Sequence, residues 1–261
     1  MADVSGHTKE QNTYPDDYVT AHKTFKARNI DENRFVKFEE RDTRSVLTLD
    51  MIKTLCHGKY QTSWNGVEVM KNPLDLITMQ DLFGREKPAT VIELGSYTGG
   101  CALWYADVLK CFGIKSHVYS IDISHDCLDK TAKMREDITF IKADATKDME
   151  KIFPEKMLKE LPHPWFISED CHVPMEITLG YLEPFMEPGD YLLVEDTHPS
   201  FCAHTGQGLY APGFDEVGLA KLNDLTEFLK SRSGKFVVDS HYNDFFGYNA
   251  SSNMNSYLKC V

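Results

Sequence analysis

The chain has 261 residues, 42% of them hydrophobic, and a formal charge of -12 at pH 7. That length suits one α/β domain with extensions, and that apolar fraction can fill a sizeable core. The surplus of acid excludes a nucleic-acid surface or an anionic membrane as the main partner.

The first residues, Met1 to Asn12, lack the apolar centre of a signal peptide, and no apolar run approaches membrane-spanning length. Seven cysteines without a Cys-x-x-Cys pair fit reduced thiols. The expectation is a cytoplasmic protein. Residues 1–45 read as an N-terminal extension, partly disordered or lid-like, with a helix from Tyr14 to Asn29. The domain proper is read as 46–261. Thr48 to Cys56 reads as a helix with Thr48 as its N-cap. Trp64-Asn65-Gly66-Val67 has the pattern of a hairpin turn, with Val67 to Met70 as a strand. A helix from Leu74 to Phe83 follows, with Pro73 at its first position and its end at Gly84.

From Thr90 onward, strand and helix patterns alternate. Strands are expected at Thr90–Leu94, His117–Asp122, Thr139–Lys142, Pro164–Glu169, Tyr191–Glu195, Lys235–Asp239 and Ser256–Cys260. Helices are expected at Cys101–Leu109, Asp126–Lys133, Met149–Glu160, Glu176–Met186 and Val217–Ser231. Such alternation predicts an α/β fold, a mostly parallel sheet with right-handed crossovers.

The stretch Glu93-Leu94-Gly95-Ser96-Tyr97-Thr98-Gly99-Gly100 joins the first of these strands to its helix. Gly95 allows a sharp turn and close approach of a ligand. Gly99 and Gly100 free the first helical turn, whose N–H groups are expected to face the crevice at the strands' carboxyl ends. A dinucleotide fingerprint would place glycine where Glu93 stands. A carboxylate there repels a pyrophosphate but suits a cationic ligand. The spacing looks like motif I of S-adenosylmethionine (SAM)-dependent methyltransferases; the alternative is a tight turn with a solvated glutamate. Asp122, ending the second strand, is placed for two ribose hydroxyls. Asp144, between Ala143 and Ala145, suits an adenine amino group or, equally, the cap of the next helix.

Two later strands end in paired acids, Glu169-Asp170 and Glu195-Asp196. Buried carboxylates need a counter-charge, and a divalent cation with oxygen ligands, Mg²⁺ rather than Zn²⁺, supplies one. Such an ion would lower the pKa of an acceptor hydroxyl. His172, just beyond Glu169, suits a general base; the alternative is a residue near the cap of the next helix. The glycine-rich stretch 196–215 contains His198, His204 and Tyr210. It is read as shaping an acceptor pocket together with Asp170, or as a plain loop.

Together these stretches resemble the cephalosporin hydroxylase / rhamnosyl O-methyltransferase family, related to macrolide-sugar O-methyltransferases. The similar segments are Thr62–Val67, Lys71–Leu76, Glu93–Gly100, Ile121-Asp122-Ile123, Glu169–His172 and Pro188–Thr197, with the tail from Tyr248. The resemblance implies a Rossmann-like class I methyltransferase fold, with a seven-stranded sheet and helices on both faces. It also implies SAM, Mg²⁺, a small-molecule acceptor and a homo-oligomer. Lys71, Glu93, Gly95, Ser96, Tyr97, Gly99, Asp122, Ile123, Asp144 and Glu169 fall at the cofactor. The family's Asp-Gly-Ser-His falls on Glu169-Asp170-Cys171-His172. Glu169, Glu195 and Asp196 then take the metal and His172 takes the base, although Asp170 could be the true ligand in place of Glu169. The activity implied is methyl transfer from SAM to a hydroxyl. The alternatives are N-methylation of a small amine held by the acids without metal, and SAM binding without turnover.

Overall fold

Apolar, β-branched runs at regular spacing pair into one sheet, and they place the acidic strand ends side by side. In the computed structural model, residues 33–203 and 214–261 are described. The predicted helix at 14–29, with His204 and Tyr210, lies outside the described residues. Contacts group the chain into Met1–Arg34 and Phe35–Val261, and the second unit is the body described here.

Its strands are β1 (Phe35–Val36), β2 (Ser63–Trp64), β3 (Val67–Glu68), β4 (Thr90–Leu94), β5 (His117–Asp122), β6 (Ile138–Lys142), β7 (Trp165–Glu169), β8 (Tyr191–Val194), β9 (Phe236–Asp239) and β10 (Tyr257–Cys260). Its longer helices are α1 (Leu49–Lys59), α2 (Pro73–Glu86), α3 (Gly100–Cys111), α4 (Lys130–Lys133), α5 (Ala145–Ile152), α6 (Glu155–Leu158) and α7 (Met175–Leu182). After these come α8 (Pro199–Cys202), α9 (Phe214–Lys230) and α10 (Ser240–Asn243).

The main sheet runs β1-β9-β10-β8-β7-β4-β5-β6. The five strands from β8 to β6 pair in parallel, and β10 runs antiparallel between β8 and β9. The seven predicted strands all form within a residue or two of their expected ends. The sheet has eight strands among the described residues rather than seven, because the short β1 pairs antiparallel with β9. The chain moves outward from β4 through β5 to β6, then returns to β7 on β4's other side. The crevice of such a sheet opens at that switch, above β4 and β7.

Alternate side chains along each strand feed two cores. On one face, Phe83 of α2 meets Phe166 of β7 edge-on, with ring centroids 5.0 Å apart, and α3 adds Trp104 and Tyr105. On the other, Ile92, Ile121 and Ile167 pack on Phe153, Leu179, Leu225 and Phe228. Helices thus cover both faces.

Several helix limits differ from expectation. α2 continues through Gly84 and ends at Glu86, with Lys87 in the left-handed cap at φ 52°. The helix expected from Asp126 starts only at Lys130, because Asp129 caps it through Thr131 N at 2.7 Å. The helix expected over 149–160 begins earlier, where Asp144 caps Thr146 N, and Pro154 splits it. The helix after Glu176 tightens to a 3₁₀ turn at Glu183–Phe185, around Pro184. The hairpin forms as expected, with Asn65 and Gly66 both at positive φ and Trp64 facing Val67.

Candidate functional site

Backbone hydrogen bonds stitch the strand tips together. Gly95 N donates to Ile121 O (2.8 Å), Asp170 N to Leu94 O (2.8 Å) and Glu195 N to Glu169 O (2.9 Å). Gly95 stands at φ 106°, and a Cβ there would lie 2.7 Å from the carbonyl oxygen of Asp170. Only glycine lets the turn after β4 and the tip of β7 come this close. Tyr97, also left-handed at φ 44°, donates its N–H to Asp122 Oδ2 at 2.8 Å and keeps its ring exposed.

Above these tips lies a cavity of about 240 Å³, lined by Gly95, Asp122, Ile123, Ala143, Asp144, Asp170 and Cys171, among others. Asp122, Ile123, Asp144 and Gly95 are therefore gathered around one space. Asp144 also caps α5, with Oδ1 accepting from Thr146 N and Oδ2 paired with Lys147. The two readings of Asp144 are thus compatible.

Other expected cofactor residues lie deeper. Glu93 is 1% exposed and accepts a hydrogen bond from the Ser120 hydroxyl, which also bonds Ser96. Burial pushes the Glu93 carboxyl up to about 8, against the pull of Ser120 and Lys71. Neither Glu93 nor Ser96 is among the residues lining the cavity. Gly99 is the left-handed N-cap of α3, at φ 80°. Gly100, however, serves packing: a Cβ on it would lie 2.0 Å from Glu68 O, so the β3 backbone rests on the first turn of the helix.

The acids at the tips of β7 and β8 each meet a lysine. β7 and β8 are paired with Glu169 opposite Val194, so the next residues, Asp170 and Glu195, fall side by side. Lys71 Nζ bridges them, 2.5 Å from Asp170 Oδ2 and 2.7 Å from Glu195 Oε2. Ser168 donates to the other oxygen of Glu195 at 2.5 Å. Asp196, held at φ 59° with its N–H on Asn253 Oδ1, pairs with Lys59 at 2.9 Å. Glu169 does not join them. Its side chain is fully buried on the opposite face, 3.0 Å from Lys221 Nζ, and accepts from Cys171 N.

The electrostatics follow from these pairs. Burial raises the Glu195 carboxyl to about 7, opposed by Lys71. Asp196 is held well below the usual range because Lys59, with Lys221 and Lys71, outweighs its burial. Burial would lower Lys71, but Asp170 and Glu195 reverse that and hold it protonated. The sequence reading missed Lys59 and Lys221. Lys221 left a signal, since it falls on the face of α9 that also carries Leu225 and Phe228.

The donors around Lys71 Nζ are oxygens only, which suits a hard cation. That position already binds a positive charge, so the residues fit an ion chemically. Among the described residues, no three acidic, histidine or cysteine side chains stand ready to close on a metal. Of the set expected from the sequence, Glu169 stands apart from Glu195 and Asp196, and the alternative ligand Asp170 takes the place beside Glu195. The side chain facing Glu195 is Asp170, and Glu169 is turned away by strand alternation.

His172 is exposed on the loop after β7 and borders a second cavity of about 410 Å³, with Cys171, Val173, Pro174, Val217, Ala220, Lys221 and Asp224. Cys171 and Val173 line both cavities. Partial burial and nearby Lys221 lower the His172 pKa, so its ring is neutral at pH 7. His198, expected at a substrate pocket, is instead 4% exposed, packed edge-on to Phe201, and lowered by burial to about 4.

A glycine turn at the switch point, an acid on the next strand and a cavity between them define a class I methyltransferase domain. The chain belongs to the rhamnosyl O-methyltransferase/CmcI family, whose model matches residues 56–261. The rhamnosyl O-methyltransferase of Mycobacterium leprae (strain TN) is 34% identical over 140 residues, 52% of this chain and 61% of the relative. The one from Mycobacterium tuberculosis (strain H37Rv) is 29% identical over 143 residues, 53% of this chain and 58% of the relative. The aligned part thus spans about three fifths of these curated relatives. Among solved structures, CmcI without ligand matches with a TM-score of 0.60 and 22% identity, over 96% of this chain and 97% of that one. CmcI with Mg and SAM also matches with a TM-score of 0.60 and 22% identity, over 95% and 97%. These structures share the fold.

Proposed function

We propose that this chain is a SAM-dependent O-methyltransferase that methylates a hydroxyl of a small, sugar-like acceptor with the help of Mg²⁺. Family membership supports the class of reaction. The observation that carries the assignment to this site is the register of β7 and β8, which sets Asp170 beside Glu195 at the wall of the cavity holding Gly95 and Asp122.

When bound, SAM supplies an electrophilic methyl and Mg²⁺ supplies a Lewis acid that acidifies the acceptor hydroxyl. Asp170, Glu195 and Asp196 would hold the metal. Asp122, its carboxylate fixed by Tyr97 N, would hold the ribose, and Ile123, Ala143 and Asp144 would hold the adenine. Glu93 holds the floor of the turn from below, through Ser120 and Ser96. His172 takes the acceptor proton on its neutral ring, and the cavity it borders receives the acceptor. An amine substrate held by the acids without metal is the second reading, and it predicts turnover that survives chelation.

The test combines binding and turnover. S-adenosylhomocysteine (SAH) should bind with micromolar affinity, and methyl transfer to a deoxysugar-bearing acceptor should stop on chelation of Mg²⁺. His172→Ala should keep SAH affinity and lose about 10²–10⁴-fold in kcat. Because the His172 pKa is lowered, the wild-type rate should fall only as pH drops below 6.5, and His172→Ala should lack that limb. Chelator-resistant turnover would overturn the metal role. An unchanged pH profile in His172→Ala would overturn the base.

A further inference from the structure

We propose that Lys71 is an exchangeable internal cation: its ammonium occupies the Asp170–Glu195 position in the unloaded protein and must leave before a divalent ion can bind there. This inference rests on the metal-assisted reading above.

The geometry allows only one cation at a time. Nζ lies 2.5 Å from one carboxylate oxygen and 2.7 Å from the other. A Mg²⁺ ion takes its oxygens at about 2.0–2.1 Å, so it would occupy the space the ammonium fills. Lys221 does not compete in this way, since its pair is with Glu169 on the other face, and Lys59 holds Asp196 alone, which leaves the position between Asp170 and Glu195 to Lys71.

The base of Lys71 is fixed by the backbone, whereas its head is held by the two carboxylates alone. Its N–H donates to Thr62 Oγ1 at 3.2 Å, and that hydroxyl in turn donates to Lys59 O at 2.7 Å. Asn72, the next residue, caps α2 through Leu74 N. From that anchor a flexible four-carbon stem carries the charge to the acids. Exchange would call for rotation about that stem rather than movement of the backbone.

A destination lies alongside. Asp170 lines the cofactor cavity, and the buried ammonium lies behind that carboxylate, 2.5 Å from its Oδ2. A cofactor bearing a carboxylate, as SAM and SAH do, offers the ammonium an alternative partner. Drawing Lys71 toward it would uncover Asp170 and Glu195 for the ion. Cofactor and metal should then bind cooperatively, and by linkage each should tighten the other equally.

The test uses the full chain with Mn²⁺, read by electron paramagnetic resonance, with and without saturating SAH. Wild type should bind Mn²⁺ about tenfold more tightly with SAH than without it. Lys71→Met, with the competitor removed, should bind Mn²⁺ about tenfold more tightly than wild type without SAH, and gain little from SAH. Lys71→Arg keeps a cation and should stay weak. If Lys71→Met proves unfolded by circular dichroism, Lys71→Gln replaces it, with the same expectation.

Equal or weaker Mn²⁺ binding by a folded Lys71→Met, or undiminished SAH coupling in it, overturns the exchange while the metal-assisted reading stands. No Mn²⁺ binding by any of the proteins overturns both the exchange and the metal role. SAH titration reports the methyltransferase reading separately.

Discussion

Glu93 makes an ionisable group part of the core. Its carboxyl is raised to about 8 by burial, against a usual value of 4.5 when unfolded. Between those two values the folded side chain holds a proton that the unfolded one has released. Stability is therefore lost as pH rises from about 4.5 to 8, at a slope of up to ~1.4 kcal/mol per pH unit. Glu93→Gln should remove that slope. Chemical denaturation at pH 5 and pH 8.5 should show the variant gaining on wild type at the higher pH; a constant difference would refute the buried, protonated state. At this scale the sequence was legible as to residue type and illegible as to direction. It named Glu169 and Asp170 together. Choosing between them needed the strand register, in which Ser168 faces Leu193, Glu169 faces Val194, and Asp170 consequently meets Glu195. The lysine partners arrive from α1, the segment before α2, and α9, separations that a motif does not encode.

Among the elements, the β2–β3 hairpin and the start of α3 are closely joined. Thr98 Oγ1 donates to Glu68 O at 2.6 Å, and Gly100 brings the start of the helix beneath that same carbonyl. The glycines at 99 and 100 were read as serving a ligand. Gly100 serves the hairpin, and its requirement was hidden because the strand that crosses it lies more than thirty residues earlier in the chain. Gly100→Ala would place a methyl 2.0 Å from backbone oxygen. It should cost more than ~2 kcal/mol, since backbone rather than a flexible side chain must yield. A shift in the urea midpoint checks this. A substitution without effect would mean that the hairpin is readily displaced. The α/β alternation itself was legible, because each buried strand is an apolar run bounded by turn residues. Helix limits were not, since side-chain caps at Asp129 and Asp144 and the break at Pro154 decide them locally.

Across the whole molecule, β10 is the strand that closes the sheet. Leu258 is fully buried and lies opposite both Leu192 of β8 and Val238 of β9. The segment before β10 is equally enclosed. Ser251 Oγ and Ser252 N both bond the buried Asp75, and Asn253 receives the N–H of Asp196. Leu258→Ala should cost ~2–5 kcal/mol through the cavity left in the core on that face of the sheet. Its thermal midpoint should fall, while SAH affinity per folded molecule stays near wild type. A matching loss of affinity would show that the β10 side also shapes the cofactor cavity.

The insertion of β10 between two strands made earlier has a consequence for synthesis. A nascent chain that has delivered β8 and β9 but not Tyr257–Cys260 carries two unsatisfied ladders, each able to recruit a neighbouring chain. Ribosomal pausing within that interval should therefore favour inclusion bodies, and a chaperone that shields exposed strands should relieve them.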